Sequence, residues 1–411
     1  MRTSRFVCAI GLLISLSCGA RAADGDWPCW LGANHDAKSA DKGLLKEWPA
    51  GGPKLLWKVD NIGRGFSGVA VADNTVYITG DVDGTLNIFA FDMTGKPLWK
   101  AENGSGYNVE GNYPGSRATP TIDGESLYLY SGVGRLGCFD AKTGQPKWKR
   151  EAGEFGGRQP NWGFAESVLI YKDWAVFTPG GANCIVALEK NTGKTVWQSK
   201  GFNGAAQYGS ILPVEFEGVP LFIAGTHGGI VIVDARDGKV LFSNRFAAGN
   251  VASCPTPAYA DGHVFWSVGY GKGNICLKLK KAGGSVSAAV AWSNREMSCH
   301  HGGYIIDNGY VYGNHNDGWS CLDLKSGERQ WFDRAGSIGK GSVTYADGML
   351  YLFSENNGNL ALASFTPQGL QIKGKLKVDG TGPSWAHPVI TGGRLYVRYD
   401  RNLYCFDVKG N

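Results

Sequence analysis

Phe91-Asp92-Met93-Thr94-Gly95-Lys96-Pro97-Leu98-Trp99 returns in altered form as Phe139-Asp140-Ala141-Lys142-Thr143-Gly144-Gln145-Pro146-Lys147-Trp148. Further copies run from Leu188-Glu189 through Gly193 to Trp197, from Val233-Asp234 through Gly238 to Phe242, and from Leu322-Asp323 through Gly327 to Trp331. Weaker copies lead from Leu277-Lys278 to Trp292 after an insertion, and from Ser364-Phe365 to Ile372. A last copy, Tyr404-Cys405-Phe406-Asp407, stops before any tryptophan. The acidic position or its equivalent falls at 92, 140, 189, 234, 278, 323, 364 and 407. Such a step matches one four-stranded propeller blade per copy. Eight copies predict an all-β chain, a single eight-bladed β-propeller.

Upstream of many copies lies a strand, a turn and a second strand, as in Val71-Ala72-Asp73-Asn74-Thr75-Val76-Tyr77 and Tyr345-Ala346-Asp347-Gly348-Met349-Leu350-Tyr351. Asp-Asn and Asp-Gly between apolar alternations are hairpin turns, because these residues tolerate positive φ. The two ends complement each other. The last copy lacks its outer tryptophan strand, while Lys54-Leu55-Leu56-Trp57-Lys58-Val59 is such a strand without a blade before it. Joining them completes an eighth blade and leaves no open edge. The tryptophans are expected to pack between blades with the indole N–H on a backbone acceptor. Phe242 and Ile372 keep the apolar volume at that position and lose the hydrogen bond.

The chain has 411 residues, 62 of them glycine and 14 tryptophan, in keeping with many short strands and tight turns. Arg2 and Arg5, the apolar run Phe6 to Leu16 and the small-x-small site Ala20-Arg21-Ala22 read as an export signal cut before Ala23. The expected division is therefore a signal at 1–22, an N-terminal extension at 23–53 and the propeller at 54–411. A periplasmic or extracellular location follows, with a lipid anchor on Cys18 as the alternative. No stretch is long enough to be a transmembrane segment. Loss of Arg2, Arg5 and Arg21 leaves 38 basic against 36 acidic side chains, too even a balance for a nucleic-acid binder.

The Asp-x-x-Thr-Gly-x-x-x-Trp pattern resembles the repeat of pyrroloquinoline quinone dehydrogenases and of BamB-type outer-membrane assembly lipoproteins. The likeness covers residues 54 to 411, and Trp27-Pro28-Cys29-Trp30-Leu31-Gly32 resembles the opening of many exported proteins with this repeat. It implies a rigid ring suited to binding or assembly work. The quinone enzymes add an adjacent Cys-Cys disulfide, a tryptophan platform and a metal held by acidic and amide side chains. This chain has no Cys-Cys pair and no Cys-x-x-Cys-His haem site, so no cofactor is assured and pyrroloquinoline quinone is not expected. The expected role is a non-catalytic binding or assembly scaffold with a protein partner or small anionic ligand. The alternatives are a quinone-dependent oxidoreductase and a carbohydrate- or anion-binding module.

Gly132-Val133-Gly134-Arg135-Leu136-Gly137 matches a dinucleotide fingerprint, but a strand follows it and not a helix, so it reads as a glycine-rich hairpin. Cys138, Cys276, Cys321 and Cys405 recur two residues before the acidic position, which argues for a small buried residue. Cys254 and Cys299 open equivalent strands of neighbouring blades and could form a bridge. The starts of the innermost strands meet around one mouth of the channel. There they place Arg64, Arg117, Glu166, Tyr208, His300, His301, Lys340, Trp385 and His387, the candidate ligand site. Arg64, Arg117 and Lys340 are expected to form a cationic arc for an anion, with the histidines strengthening binding as pH falls. A plain solvated channel is the competing expectation. No metal site is expected, because adjacent His300 and His301 on a strand would point to opposite faces.

Overall fold

The computed structural model describes residues 26–410. The proposed signal, its cut before Ala23 and the Cys18 alternative lie outside the described residues. Eight antiparallel four-stranded sheets follow one another around a ring. In the first blade, Ala70–Ala72 is innermost, followed outward by Thr75–Val82, Thr85–Asp92 and Pro97–Ser105. The eighth blade is built from Val389–Thr391, Arg394–Tyr399 and Asn402–Asp407, and its outer strand is Lys54–Val59 from the other end of the chain. Trp57 pairs with Cys405 and Val59 with Leu403, so the ring closes as its fragments require.

The repeat encodes the joint between blades. Asp92 Oδ1 accepts the N–H of Thr94 at 2.8 Å, that of Lys96 at 3.0 Å and the Thr94 hydroxyl, which fixes the turn before the outer strand. Gly144, at φ 72°, seats its bare Cα on the preceding blade's indole: an added Cβ would come within 2.6 Å of the Trp99 ring. The same contact recurs where Gly193 meets Trp148. Register slips by one residue beside the outer tryptophan or its substitute in every blade, as between Pro146 and Trp148, and the bulge aims the ring at its neighbour. Trp57, Trp99, Trp148, Trp292 and Trp331 each donate Nε1–H to a carbonyl of the next blade's turn, at 2.8 to 3.1 Å. Trp197 is the exception, with a buried Nε1 that has no partner.

The same geometry explains the recurrent cysteines. Cys138, Cys276, Cys321 and Cys405 lie cross-strand from Trp148, Trp292, Trp331 and Trp57, where a large indole leaves room only for a small neighbour. All four are fully buried and unbridged, and Cys254 and Cys299 are likewise free thiols. Residues 132–134 form a turn that runs straight into the strand Arg135–Asp140, so the glycine fingerprint is a hairpin.

The N-terminal segment does something the repeat does not foretell. Trp27 pairs with Val71 of the first blade, Pro28 accepts from Ile122 of the second, and Trp30 Nε1 donates to Thr256 Oγ1 beside the fifth at 3.2 Å. Lys38–Ser39 then adds a parallel strand to the innermost edge of the seventh blade, and Lys38 Nζ reaches Asp307 of the sixth at 2.8 Å. With the Trp30 ring also against His387 beside the eighth, residues 27–39 thus contact six blades from inside the ring. They fill one side of the central channel, against the expectation of a solvated bore.

Candidate functional site

Each innermost strand is entered by a non-repetitive segment that crosses the open mouth, and these segments enclose a cavity of about 300 Å³. Its floor is Trp30, held edge-on against the His387 ring at 4.6 Å. Phe66, Tyr113, Trp162, Tyr208, Tyr270 and Trp385 form most of the wall. Trp385 stacks on His301 at 4.3 Å and touches Phe66 at 4.7 Å and Tyr113 at 4.8 Å. The result is a closed-bottom aromatic cup.

The structure brings Arg117, Tyr208, His300, His301, Trp385 and His387 to this cup and leaves three expected residues outside its lining. Arg64 is exposed, and its backbone is tied to Asp81. Glu166 turns into the third blade, where Oε2 accepts the Thr178 N–H at 2.7 Å and the Thr178 hydroxyl. It is 2% exposed, and burial pushes its carboxyl up to about 8. Lys340 faces the cluster beside the cup, 2.9 Å from Glu355 Oε2 and 3.1 Å from His300 Nδ1.

The cationic arc therefore does not form. Arg64 lies elsewhere, Lys340 is ion-paired, and the Arg117 guanidinium is committed to the carbonyls of Asn112, Tyr113 and Gly115 and to the face of Tyr107 at 4.1 Å. The physical reason is that like charges in a partly enclosed mouth are costly unless offset, and Arg117 and Lys340 each have local acceptors. The expected gain in binding towards acid pH rests on histidines whose charged form burial disfavours. Burial lowers His300 to about 3 and His387 to about 4 and lowers His301 as well, so all three rings stay neutral near pH 7.

Two features of the cup escaped the repeat. Glu355 follows the second strand of the seventh blade and so does not belong to an innermost-strand start. Burial pushes its carboxyl up, but the Lys340 ammonium at 2.9 Å opposes that and holds it below the usual carboxylate range. The histidine geometry is the second. Residues 300–302 bend rather than extend, so the rings of His300 and His301 lie 3.7 Å apart and do not point to opposite faces.

This is a ring-closed propeller with a blind cup at one channel mouth. The family model described as outer membrane protein assembly factor BamB matches residues 42–154 and 181–293, more than half of the chain, and the chain belongs to that family. Tetrathionate hydrolase of Acidithiobacillus ferrooxidans is 24% identical over 84% of this chain and 64% of its own length. BamB of Xanthomonas campestris is 27% identical over 33% of this chain and 30% of its own. The chain thus spans less than two thirds of either relative.

BamB from Moraxella catarrhalis superposes with a TM-score of 0.59 at 16% identity, over 87% of this chain and 98% of that one. Quinohemoprotein alcohol dehydrogenase from Comamonas testosteroni gives 0.62 at 14% identity, over 95% and 82%. At these identities the likeness is one of fold. The cup does not fit the quinone and its metal. It offers one carboxylate, Glu355, which is already paired with Lys340, and its arginine is taken up by backbone carbonyls.

Proposed function

We propose that the protein is an exported, non-catalytic binding module of the BamB type, whose cup receives the ring-sized, uncharged end of a ligand such as a glycan. The observation that carries this reading is the cavity of about 300 Å³ lined by seven aromatic side chains. Aromatic faces bury the apolar face of a sugar or aromatic ring, and Tyr208, Tyr270 and Trp162 present polar edges for its hydroxyls. Arg117 and Lys340 already have partners, which disfavours a free carboxylate, a phosphate or the dianion tetrathionate as ligand. Kinship with BamB proteins supports an assembly role, in which the ring end belongs to a partner molecule. The same kinship supports export, with the domain division set out above.

Tryptophan fluorescence and calorimetry against neutral saccharides, aromatic alcohols, carboxylates and phosphates test the cup directly. Neutral rings should bind the wild type, and Trp385→Ala should lose that binding with its melting temperature kept. Binding confined to anions, or reduction of a dye in the presence of quinone and calcium, would overturn the proposal.

A further inference from the structure

We propose that His300, His301 and Glu355 form a transition-metal site in the wall of the cup, for which the Lys340 ammonium is the built-in competitor. One ligand atom from each of the three lies within 4.8 Å of the other two, and among the described residues this is the group of metal-binding side chains that converges. Two imidazoles and a carboxylate are the donor set of zinc-class ions and of iron(II), whereas calcium wants six or more oxygens.

The local contacts are arranged as a ligand shell needs them. His300 Nε2 is held by the Tyr270 hydroxyl at 3.1 Å, which leaves Nδ1 facing the cluster. His301 Nδ1 is buried without a hydrogen-bond partner, 3.9 Å from Glu355 Oε2. An orphaned ring nitrogen at a polar site is uncommon and needs a partner, which an ion would supply. Trp385 stacks on the His301 ring and His387 Nε2 meets the His301 carbonyl at 3.1 Å, so the second ligand is fixed from both sides.

Lys340 explains how the same donors are satisfied otherwise. Its ammonium touches Glu355 Oε2 and His300 Nδ1, two of the three ligand atoms, and so stands where a cation would stand. Lysine carries donors only, so His300 Nδ1 must present its lone pair, the form that binds a metal. Entry of an ion requires the ammonium to swing away and the three donors to draw in. All three also line the cavity, so a three-ligand site would keep a coordination position open to the cup. The site stands whether or not a glycan binds there.

The test uses purified, untagged full-length protein stripped with chelator, titrated with cobalt(II) by visible absorption and with zinc by calorimetry. One ion per chain is expected, with the intense bands of low-coordinate cobalt. Glu355→Gln and His301→Ala should abolish it, and Lys340→Met should tighten it by about tenfold or more, the scale of an outer-shell effect. Cys254→Ser, a change at the cup's thiol, should leave it unchanged. Thermal melting monitors the fold. If His301→Ala unfolds, Glu355→Gln and Lys340→Met decide the matter. Failure of both wild type and Lys340→Met to bind micromolar metal overturns the site. So does binding that survives Glu355→Gln or disappears with Cys254→Ser.

Discussion

Arg398→Met should weaken the whole ring from its seam. Arg398 lies on the second strand of the eighth blade and is 2% exposed. Its guanidinium donates to Ser67 Oγ at 2.7 Å, Thr79 O at 2.6 Å, Gly63 O at 3.0 Å and Asp400 O at 3.0 Å. These partners belong to the eighth blade, the lead-in to the first, and the first blade itself, so one side chain bridges the place where the two chain ends meet. Methionine keeps much of the stem's volume and removes every donor. Each hydrogen bond to a charged group is worth about 1.5–3 kcal/mol, but these, with a longer one to Ser116 Oγ at 3.4 Å, share one side chain and do not add. Breaking a buried charged network from one side costs about 3–5 kcal/mol. Asp81, a nearby carboxyl that burial raises to about 7, can take up a proton and so keeps the loss within that range. With an unfolding entropy on the order of 0.8 kcal/mol/K for a chain of this length, the melting point should fall by about 4–6 °C. Circular dichroism and tryptophan fluorescence should report one coincident transition. Exposed Arg64→Met, the control, should stay within about 0.5 kcal/mol of wild type. A melting point for Arg398→Met within about 1 °C of wild type would refute the idea that this guanidinium holds the seam.

Removal of residues 26–60 strips both the closing strand and the channel filling, and should lower or abolish the cooperative melt rather than loosen one blade; an unchanged melt would speak against closure. Gly144→Ala forces a left-handed alanine against the Trp99 ring and should cost about 2–4 kcal/mol, measured by denaturant unfolding. Glu166, raised by burial from 4.5 to about 8, holds a proton in the folded state that the unfolded chain releases earlier. Stability should therefore fall as pH rises through that window and level off above it. Glu166→Gln should flatten this decline, as read from unfolding at about pH 5 and about pH 9.

The blades were legible because their joints are local in sequence. Asp92, Gly95 and Trp99 fall within eight residues, and each does a separable job: turn, contact with the previous indole, contact with the next turn. Repetition then multiplies a weak signal. Ring closure was legible for the same reason, since Lys54–Val59 and Asn402–Asp407 are halves of one pattern. The N-terminal lining of the channel was not, because Trp27, Pro28, Trp30 and Lys38 belong to no repeat and their partners lie on six blades.

Innermost-strand starts bring side chains near the mouth, but the charge state of a site depends on partners contributed by loops. Lys340 looked free until Glu355, fifteen positions away on a hairpin of the same blade, supplied its counter-charge. Arg117 looked available, yet carbonyls of the irregular segment just before it take up its donors, a contact without any sequence period. The adjacent histidines invert the lesson. Alternation holds only in an extended strand, and the bend at residues 300–302 replaces it with two rings side by side. What looked like a cationic mouth is therefore an aromatic cup whose charged groups, Arg117 and the Lys340–Glu355 pair, have local partners, with a convergent His-His-Glu cluster in its wall. Six of the nine candidate positions reach the cup, but only three-dimensional neighbours could set their chemistry.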